Sequence, residues 1–129
     1  MGVWNMTVKQ TENWQAVCST TDLVADAGIA VWTEAGPVAV FYVPGVAPEI
    51  FAIGHYDPIG QANVLARGIV GDKQGELVVA SPLYKQHFSL TTGQCLEEAD
   101  VSVPAFPVKL DGEQVLLNLE AAQARRKAA

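Results

Sequence analysis

Five side chains on two irregular stretches of the sequence have the chemistry to hold a metal or act on a ligand. They are Asp57 and Ser81, each followed by a proline, with His55, Tyr84 and His87 close by. Carboxylate, phenolate and imidazole groups suit a single hard ion, such as a ferrous or manganous ion. Their spacing matches no established metal motif. The competing interpretation is structural, because an Asp before a proline commonly caps its own loop through a hydrogen bond.

His87 lies in a short segment, Lys85 to Phe88, that combines polar side chains with one aromatic ring. A histidine that acts as a general acid or base needs a partner within hydrogen-bond reach, and the sequence assures none. Aromatic and polar side chains together on a projecting loop are typical of a protein interface. We therefore expect an interface here, and the candidate residues are Tyr84, Lys85, His87 and Phe88.

Composition and charge narrow the class of protein. The chain has 129 residues, enough for one domain with a modest core, and half of its residues are apolar. A net charge of −6 with scattered basic residues argues against a nucleic-acid partner. The one basic run, Arg125 to Lys127, predicts a solvated helix end or a tail that seeks an acidic surface.

Signals for export, membrane insertion and disulfide bonding are missing from the sequence. No stretch approaches the ~18 apolar residues of a membrane span, and Met1 to Thr7 lacks a basic segment followed by an apolar run. We therefore expect a cytoplasmic protein without a membrane partner. Cys18 and Cys95 form no Cys-x-x-Cys pair. Two reduced, buried thiols are the expectation, and a bridge between them is the alternative.

Short β-strands must position the candidate residues. Apolar, β-branched and aromatic runs bounded by turn residues predict strands at 14–18, 29–32, 37–43, 48–53 and 76–80. Between the first two, Thr20 to Gly28 predicts a capped turn and a loop. Asp111-Gly112 between apolar runs predicts a closing hairpin over 106–119. Residues 120–129 predict a marginal exposed helix or a frayed tail.

The stretch from Gly54 to Gly75 is rich in Gly, Asp and Asn between two predicted strands. So long an irregular segment is uncommon in a small domain unless it is functional or forms a lobe of its own. Asn63 to Val70 has enough apolar residues to pack. The sequence therefore predicts a small loop-rich lobe.

The order of these features resembles a Rieske-type iron–sulfur domain over most of the chain, from Trp14 to Leu119. The resemblance rests on a Trp-led first strand, an E-I-F-A-I strand, a D-P loop, an S-P-x-Y loop followed by F-S-L-x-T-G, and a closing hairpin. It implies an all-β fold, with an antiparallel β-sandwich base at about 14–53 and 91–119. The lobe that carries the cluster in this family would be about 54–90, and a short basic tail would follow at 120–129.

In the Rieske family, the loops C-P-H and C-P-x-H supply two thiolates and two imidazoles to a two-iron cluster. Matching those loops to this sequence places Asp57 and Ser81 where the thiolates would be, and Ile59 and Tyr84 where the imidazoles would be. The resemblance therefore implies a Rieske-like domain without its cluster, and no catalytic, cofactor-binding or metal-binding residue in this chain. Tyr84 would then partly fill the vacated space.

Two longer blocks resemble one branch of that family, the small subunits of assimilatory NADH-dependent nitrite reductases. They are D-P-x-x-x-A-N-V-L-x-R-G-I-V-G-D at 57–72 and S-P-L-Y-K-Q-H-F-S-L at 81–90. The resemblance implies an oxidoreductase complex that reduces nitrite to ammonium in nitrate assimilation. Its large catalytic subunit would be the partner of this chain. FAD, sirohaem and an iron–sulfur cluster would belong to that partner.

Three functions remain open from the sequence. In the first, the chain is a non-redox subunit that binds and supports the large subunit, and the loops at 57–61 and 84–88 make the contact. A charged residue in place of Tyr84 or Phe88 should then weaken the complex and leave the domain folded. In the second, the chain transfers electrons through an unconventional metal site. In the third, it is a small-ligand binding module that uses the emptied cluster site as a pocket.

Overall fold

The computed structural model describes residues 14–46 and 49–120, which form an all-β domain, as the sequence predicts. Regular structure in this part consists of twelve strands and two 3₁₀ helices, at Thr20–Asp22 and Leu65–Arg67. The strands are β1 (Trp14–Ser19), β2 (Ala27–Thr33), β3 (Gly36–Tyr42), β4 (Ile50–Gly54), β5 (Tyr56–Asp57), β6 (Ala62–Asn63), β7 (Ile69–Lys73), β8 (Glu76–Ala80), β9 (His87–Ser89), β10 (Ala105–Phe106), β11 (Val108–Asp111) and β12 (Gln114–Asn118).

The strands pair antiparallel in four sheets. An outer sheet has the order β1-β12-β11, and a central sheet has the order β10-β4-β3-β2. Two further sheets, β5-β6 and β7-β8-β9, lie in the lobe, the name used below for residues 54–90. The lobe sheet, β7-β8-β9, ends beside the residues that the sequence singles out.

Strand β3 is buried on both faces, which explains its continuous apolar run. Val38 and Val40 pack in a cluster with Leu117 of the outer sheet. The alternate residues Ala39 and Phe41 pack in a second cluster that also contains residues of the lobe. Because successive side chains of a strand point to opposite faces, β3 contributes to both cores. The central sheet is therefore the layer on which the outer sheet and the lobe are both held.

The predicted strands and turns are largely confirmed, with small shifts of their ends. Ser19 caps the first 3₁₀ helix: the Thr21 N–H donates to its Oγ, and its own N–H donates to Asp22 Oδ2. The closing hairpin is present between β11 and β12. Its turn contains Gly112 at φ +63°, a conformation that glycine adopts without steric cost. The predicted tail, apart from its first residue, and the basic run within it lie outside the described residues.

Strand β7 was not predicted, because Ile69–Lys73 has no clear alternation of apolar and polar residues. It forms through backbone pairing with β8 across a tight turn. Gln74 and Gly75 both have positive φ in that turn, as a two-residue hairpin loop of type I′ requires. The predicted lobe is thus built on a short sheet rather than on irregular chain alone.

The fold bears on two features expected from the sequence, the lack of a membrane span and the reduced state of the two cysteines. Across residues 14–46 and 49–120, no helix has the length and apolar character needed to cross a membrane. Cys18 and Cys95 are free thiols, and burial raises the pKa of both. Cys95 is buried and Cys18 is half-buried. Because both thiols are free, the disulfide considered as an alternative is not formed.

Candidate functional site

Asp57 and Ser81 meet at the end of the lobe sheet. Asp57 ends β5, and Ser81 directly follows β8. The Ser81 hydroxyl donates a hydrogen bond of 2.5 Å to Oδ2 of Asp57, and both residues are buried. This bond joins the first loop, residues 57–61, to the second loop, residues 81–85. The sequence identified both residues but gave no sign that they bond to each other.

The Asp57 carboxylate also caps its own loop. Its Oδ1 accepts hydrogen bonds from the N–H groups of Ile59 at 2.8 Å and Gly60 at 3.0 Å. With the Ser81 hydroxyl, three donors surround a carboxylate that has no exposed surface. A buried charge is tolerated only when it is satisfied in this way. The predicted loop-capping role of Asp57 is confirmed.

The two loops have the same backbone design. In the second loop, the Ser81 Oγ accepts from the Leu83 N–H at 3.3 Å. In each loop, the carbonyl of the first residue accepts from the N–H of the fifth: Gln61 N to Asp57 O at 2.6 Å, and Lys85 N to Ser81 O at 3.0 Å. Gln61 and Lys85 both have positive φ, +59° and +66°. The two loops therefore share the same hydrogen-bond pattern and the same left-handed fifth residue.

An ordinary turn elsewhere in the domain repeats this design. Ser89 Oγ accepts from the N–H groups of Thr91 and Thr92, and the Ser89 carbonyl accepts from Gly93, whose φ is +82°. Ser89 also donates to a carboxylate, that of Glu76. The first and second loops thus have the same hydrogen-bond pattern as the turn at Ser89–Gly93. That turn does not correspond to either ligand loop of the Rieske motif.

Ile59 and Tyr84, the residues at the imidazole-equivalent positions, lie in different environments. Ile59 is partly buried and packs against the core cluster shared with the lobe. The Tyr84 residue is 64% exposed. The prediction that Tyr84 partly fills the vacated space is therefore wrong. Leu83 instead contacts the first loop, since a Cβ built on Gly60 would lie 2.5 Å from Leu83 Cδ1.

His55 is a structural residue. It is buried, and its Nδ1 accepts a hydrogen bond from the Ala66 N–H at 3.1 Å. Its carbonyl accepts from the N–H groups of Val64 and Leu65. Burial, and then the nearby Arg67 guanidinium, lower the pKa of His55. His55 therefore fixes the entry to the 3₁₀ helix of the lobe.

His87 has a partner that the sequence did not reveal. Its backbone N–H donates to Glu97 Oε1 at 2.8 Å, and its Nδ1 lies 2.7 Å from Glu97 Oε2. Lys73 Nζ donates to the same Oε2 at 3.1 Å. Burial raises the pKa of Glu97, but the hydrogen bonds from His87 and Lys73 outweigh it and lower that pKa to about 2. Glu97 therefore links β7, β9 and the loop that follows Cys95.

Phe88 is wrongly predicted as an interface residue. It is fully buried in the core cluster between the central sheet and the lobe. Its pairing with Val79 in the lobe sheet places it in this core. A charged residue at 88 would therefore unfold the lobe rather than disturb a contact. Tyr84 and Lys85 are exposed, and His87 is half-buried.

The five chemically capable residues do not converge on one ion. Asp57 and Ser81 bond to each other, while the imidazole Nδ1 atoms of His55 and His87 have other partners. In the described ranges, no group of three or more His, Cys, Asp or Glu side chains is placed to hold a metal. Two cavities, of about 210 and 390 Å³, are lined by residues at 49–52, 90–91 and 106–110. Neither cavity includes a residue of the two loops.

Comparison with known proteins identifies the family of this chain. A family model described as "Rieske-like [2Fe-2S] domain" matches residues 13–118. The nitrite reductase (NADH) small subunit of Salmonella typhimurium is 38% identical over 97 residues, which are 75% of this chain and 89% of that protein. The solution structure of the nitrite reductase [NAD(P)H] small subunit from Erwinia carotovora is 39% identical. The match to that structure has a TM-score of 0.69 and covers 82% of this chain and 81% of the Erwinia carotovora chain.

A further relative is much longer. The nitrite reductase [NAD(P)H] large subunit of Klebsiella oxytoca is 34% identical over 115 residues, 89% of this chain but 12% of that protein. The predicted Rieske-like fold and the predicted branch are both confirmed by these matches. The chain belongs to the Rieske-like [2Fe-2S] domain family, in the branch of the NADH-dependent nitrite reductase small subunits.

Proposed function

We propose that this chain serves an NADH-dependent nitrite reductase as a subunit that binds the large catalytic chain and carries no electrons itself. Its small-subunit relatives support the assignment to this complex. In Klebsiella oxytoca, a segment similar to nearly all of this chain is part of the large subunit. A domain that is covalently part of the large chain in one relative is expected to lie against that chain in another.

The observation that carries the non-redox role is the Asp57–Ser81 hydrogen bond. The family normally holds a 2Fe–2S cluster with two thiolates and two imidazoles. In that cluster the two thiolates share one iron. Here the oxygen atoms at the thiolate-equivalent positions are 2.5 Å apart and hydrogen-bonded to each other, which leaves no room for an iron between them. Ile59 has no donor atom, and Tyr84 is exposed. The residues present therefore do not fit the cluster, and we assign no electron-transfer step to this chain.

In this proposal, nitrite reduction to ammonium takes place on the large subunit, which would hold FAD, sirohaem and an iron–sulfur cluster. The small subunit acts by preferential binding to the folded, competent form of its partner, which stabilises that form. The proposal includes a cytoplasmic location, which the two free thiols support.

The contact surface proposed here is the outer side of the two loops. Leu83 and Tyr84 are 45% and 64% exposed, and Tyr56, beside the first loop, is 47% exposed. Aromatic side chains with exposed rings are frequent anchors in protein interfaces. Leu83 replaces Phe88 in the interface predicted from the sequence.

Co-purification with the large subunit tests this proposal. The tagged large subunit would be produced with the wild-type chain, with Leu83→Glu, with Tyr84→Glu or with Leu110→Glu. Leu110 is a matched control, because it is also a half-exposed leucine but lies on β11 of the outer sheet. We expect the two loop variants to lower both complex yield and NADH-dependent nitrite reduction, and Leu110→Glu to lower neither. Equal recovery of all four chains would contradict the proposed contact.

A further inference from the structure

Among the residues that the structure describes, two positive charges in the lobe have no ion-pair partner. The described residues include four Lys and Arg side chains: Arg67, Lys73, Lys85 and Lys109. Lys73 is paired with Glu97, and Lys109 lies 4.5 Å from the centroid of the Trp14 ring. Arg67 and Lys85 are exposed, and neither forms an ion pair within the described ranges. The chain as a whole has a net charge of −6.

The fold places both cations beside the Asp57–Ser81 pair. Gly68, the neighbour of Arg67, lies against β8, since a Cβ built on it would be 2.3 Å from the carbonyl oxygen of Ala80. The Lys85 N–H donates to the carbonyl of Ser81. Arg67 and Lys85 therefore leave the backbone close to the junction of Ala80 and Ser81.

The Asp and Glu side chains near this junction are already bonded to other groups. Glu97 lies beside His87, the pairing partner of Ala80, but its carboxylate is bound by His87 and Lys73. Asp57 is the only Asp or Glu in residues 54–71, and it is fully buried and bonded to three donors. Residues 81–96 contain none. The end of the lobe thus has exposed apolar residues, Leu83 and Tyr84, and two exposed cations, Arg67 and Lys85, on a domain whose net charge is negative.

We propose that this end of the lobe binds an acidic surface of the large nitrite reductase subunit, with Arg67 and Lys85 facing carboxylates and Leu83 and Tyr84 entering an apolar centre. This inference rests on the proposed function. Burying two unpaired cations against a neutral surface would be costly, whereas carboxylates on the partner compensate for their desolvation. The acidic remainder of the small subunit would be repelled by the same surface, so the charges also select the docking orientation.

Binding measured against salt and charge reversal tests this inference. The immobilised large subunit would be exposed to the wild-type chain, Arg67→Glu, Lys85→Glu and Lys109→Glu at about 0.05 M and about 0.5 M salt, where screening lengths differ about threefold. Lys109→Glu changes the net charge equally but lies in the outer sheet. We expect Arg67→Glu and Lys85→Glu each to weaken binding about tenfold at low salt, mainly through slower association. Lys109→Glu should stay within about twofold of the wild type.

The wild-type measurement does not depend on the folding of any variant. The affinity of the wild type should fall as salt rises, and the affinities of Arg67→Glu and Lys85→Glu should fall less. Equal affinity of the wild type at both salt concentrations would overturn the charge inference and leave the proposed function intact. The same is true if Lys109→Glu weakens binding as much as Lys85→Glu, because the effect would then reflect net charge. Absence of wild-type binding at either salt concentration would instead overturn the proposed function.

Discussion

The Ser81 hydroxyl donates a 2.5 Å hydrogen bond to the Asp57 carboxylate, and both residues are buried where two loops meet. In the Rieske family, a metal cluster normally connects the corresponding loops. In this chain the Ser81–Asp57 hydrogen bond joins the two loops, and further hydrogen bonds lie within each loop. These hydrogen bonds contribute to the shape of both loops.

Removal of the Ser81 hydroxyl should destabilise the domain. Ser81→Ala leaves a buried carboxylate with two donors instead of three, and loss of a hydrogen bond to a charged group costs about 2 kcal/mol. Urea unfolding of the isolated domain measures this loss. Ser102→Ala is the control, because Ser102 is exposed. A loss no larger than that of Ser102→Ala would mean that the bond does not hold the loops together.

A double-mutant cycle isolates the bond between the two loops. Asp57→Ala removes the acceptor of three donors and should cost about 3–4 kcal/mol. Combined with Ser81→Ala, the two losses should be less than additive by about 1–3 kcal/mol, because the residues are in direct contact. Additive losses in the same urea experiment would show that the two loops are not coupled through these side chains.

The positive φ of Gln61 predicts that a β-branched residue at this position lowers stability through backbone conformation alone. Gln61→Val places a β-branched residue at φ +59° and should cost about 1–2 kcal/mol of unfolding free energy. The same replacement at Gln114, an exposed strand residue, should be neutral or slightly stabilising. Thermal unfolding of both variants distinguishes these effects. Equal stabilities would mean that the first loop does not hold this conformation in solution.

Two glycines near the start of β7 should respond differently to alanine. A Cβ on Gly68 would lie 2.3 Å from the backbone oxygen of Ala80, which cannot move freely, whereas a Cβ on Gly71 meets nothing within 4 Å. Gly68→Ala should therefore cost about 2–3 kcal/mol through overpacking, and Gly71→Ala should cost little. Unfolding by denaturant checks both values. A tolerated Gly68→Ala would show that Gly68 does not lie against Ala80 as described.

The pH dependence of stability should reveal the Glu97 carboxylate. Its pKa is about 2 in the folded domain, below the ordinary value of 4.5, because His87 and Lys73 bind the charged form. A carboxylate with a lowered folded pKa stabilises above its unfolded pKa, and the contribution disappears as pH falls towards the folded value. The side chain is about one-third exposed, so its contribution should be about 1 kcal/mol.

Comparison of the wild type with Glu97→Gln measures that contribution. The stability difference should be constant above pH 4.5 and should shrink between pH 4.5 and about 2. Glu98→Gln removes the same charge next to this group and should not reproduce the pattern. A difference that persists unchanged at the acid end would rule out the ion-paired carboxylate as its source.

Local patterns explain which features could be predicted from the sequence. The apolar run of β3 and the Asp-Gly hairpin are local signals, and both are confirmed. The capping role of Asp57 was predictable for the same reason, since its partners are two and three residues away. The resemblance to the two Rieske ligand loops predicted that Asp57 and Ser81 occupy equivalent positions in the two loops.

Features that depend on tertiary contacts were not predicted from the sequence. Phe88 follows a polar segment, and the sequence therefore predicted an exposed residue. Its strand pairing with Val79 places its side chain in the core. Glu97 was missed because its partners, His87 and Lys73, lie 10 and 24 residues away. The exposure of Tyr84 follows from Leu83 taking the position next to Gly60, which no local pattern indicates.

The central claim is that this domain supports its partner without a cluster of its own, and iron and acid-labile sulfide analysis tests it most directly. The purified chain would be incubated anaerobically with iron and sulfide beside a Rieske ferredoxin as a positive control, and then desalted. The account predicts a colourless chain without bound sulfide, while the ferredoxin acquires its cluster. Two irons and two sulfides bound per chain, with the absorbance of a 2Fe–2S centre, would contradict it.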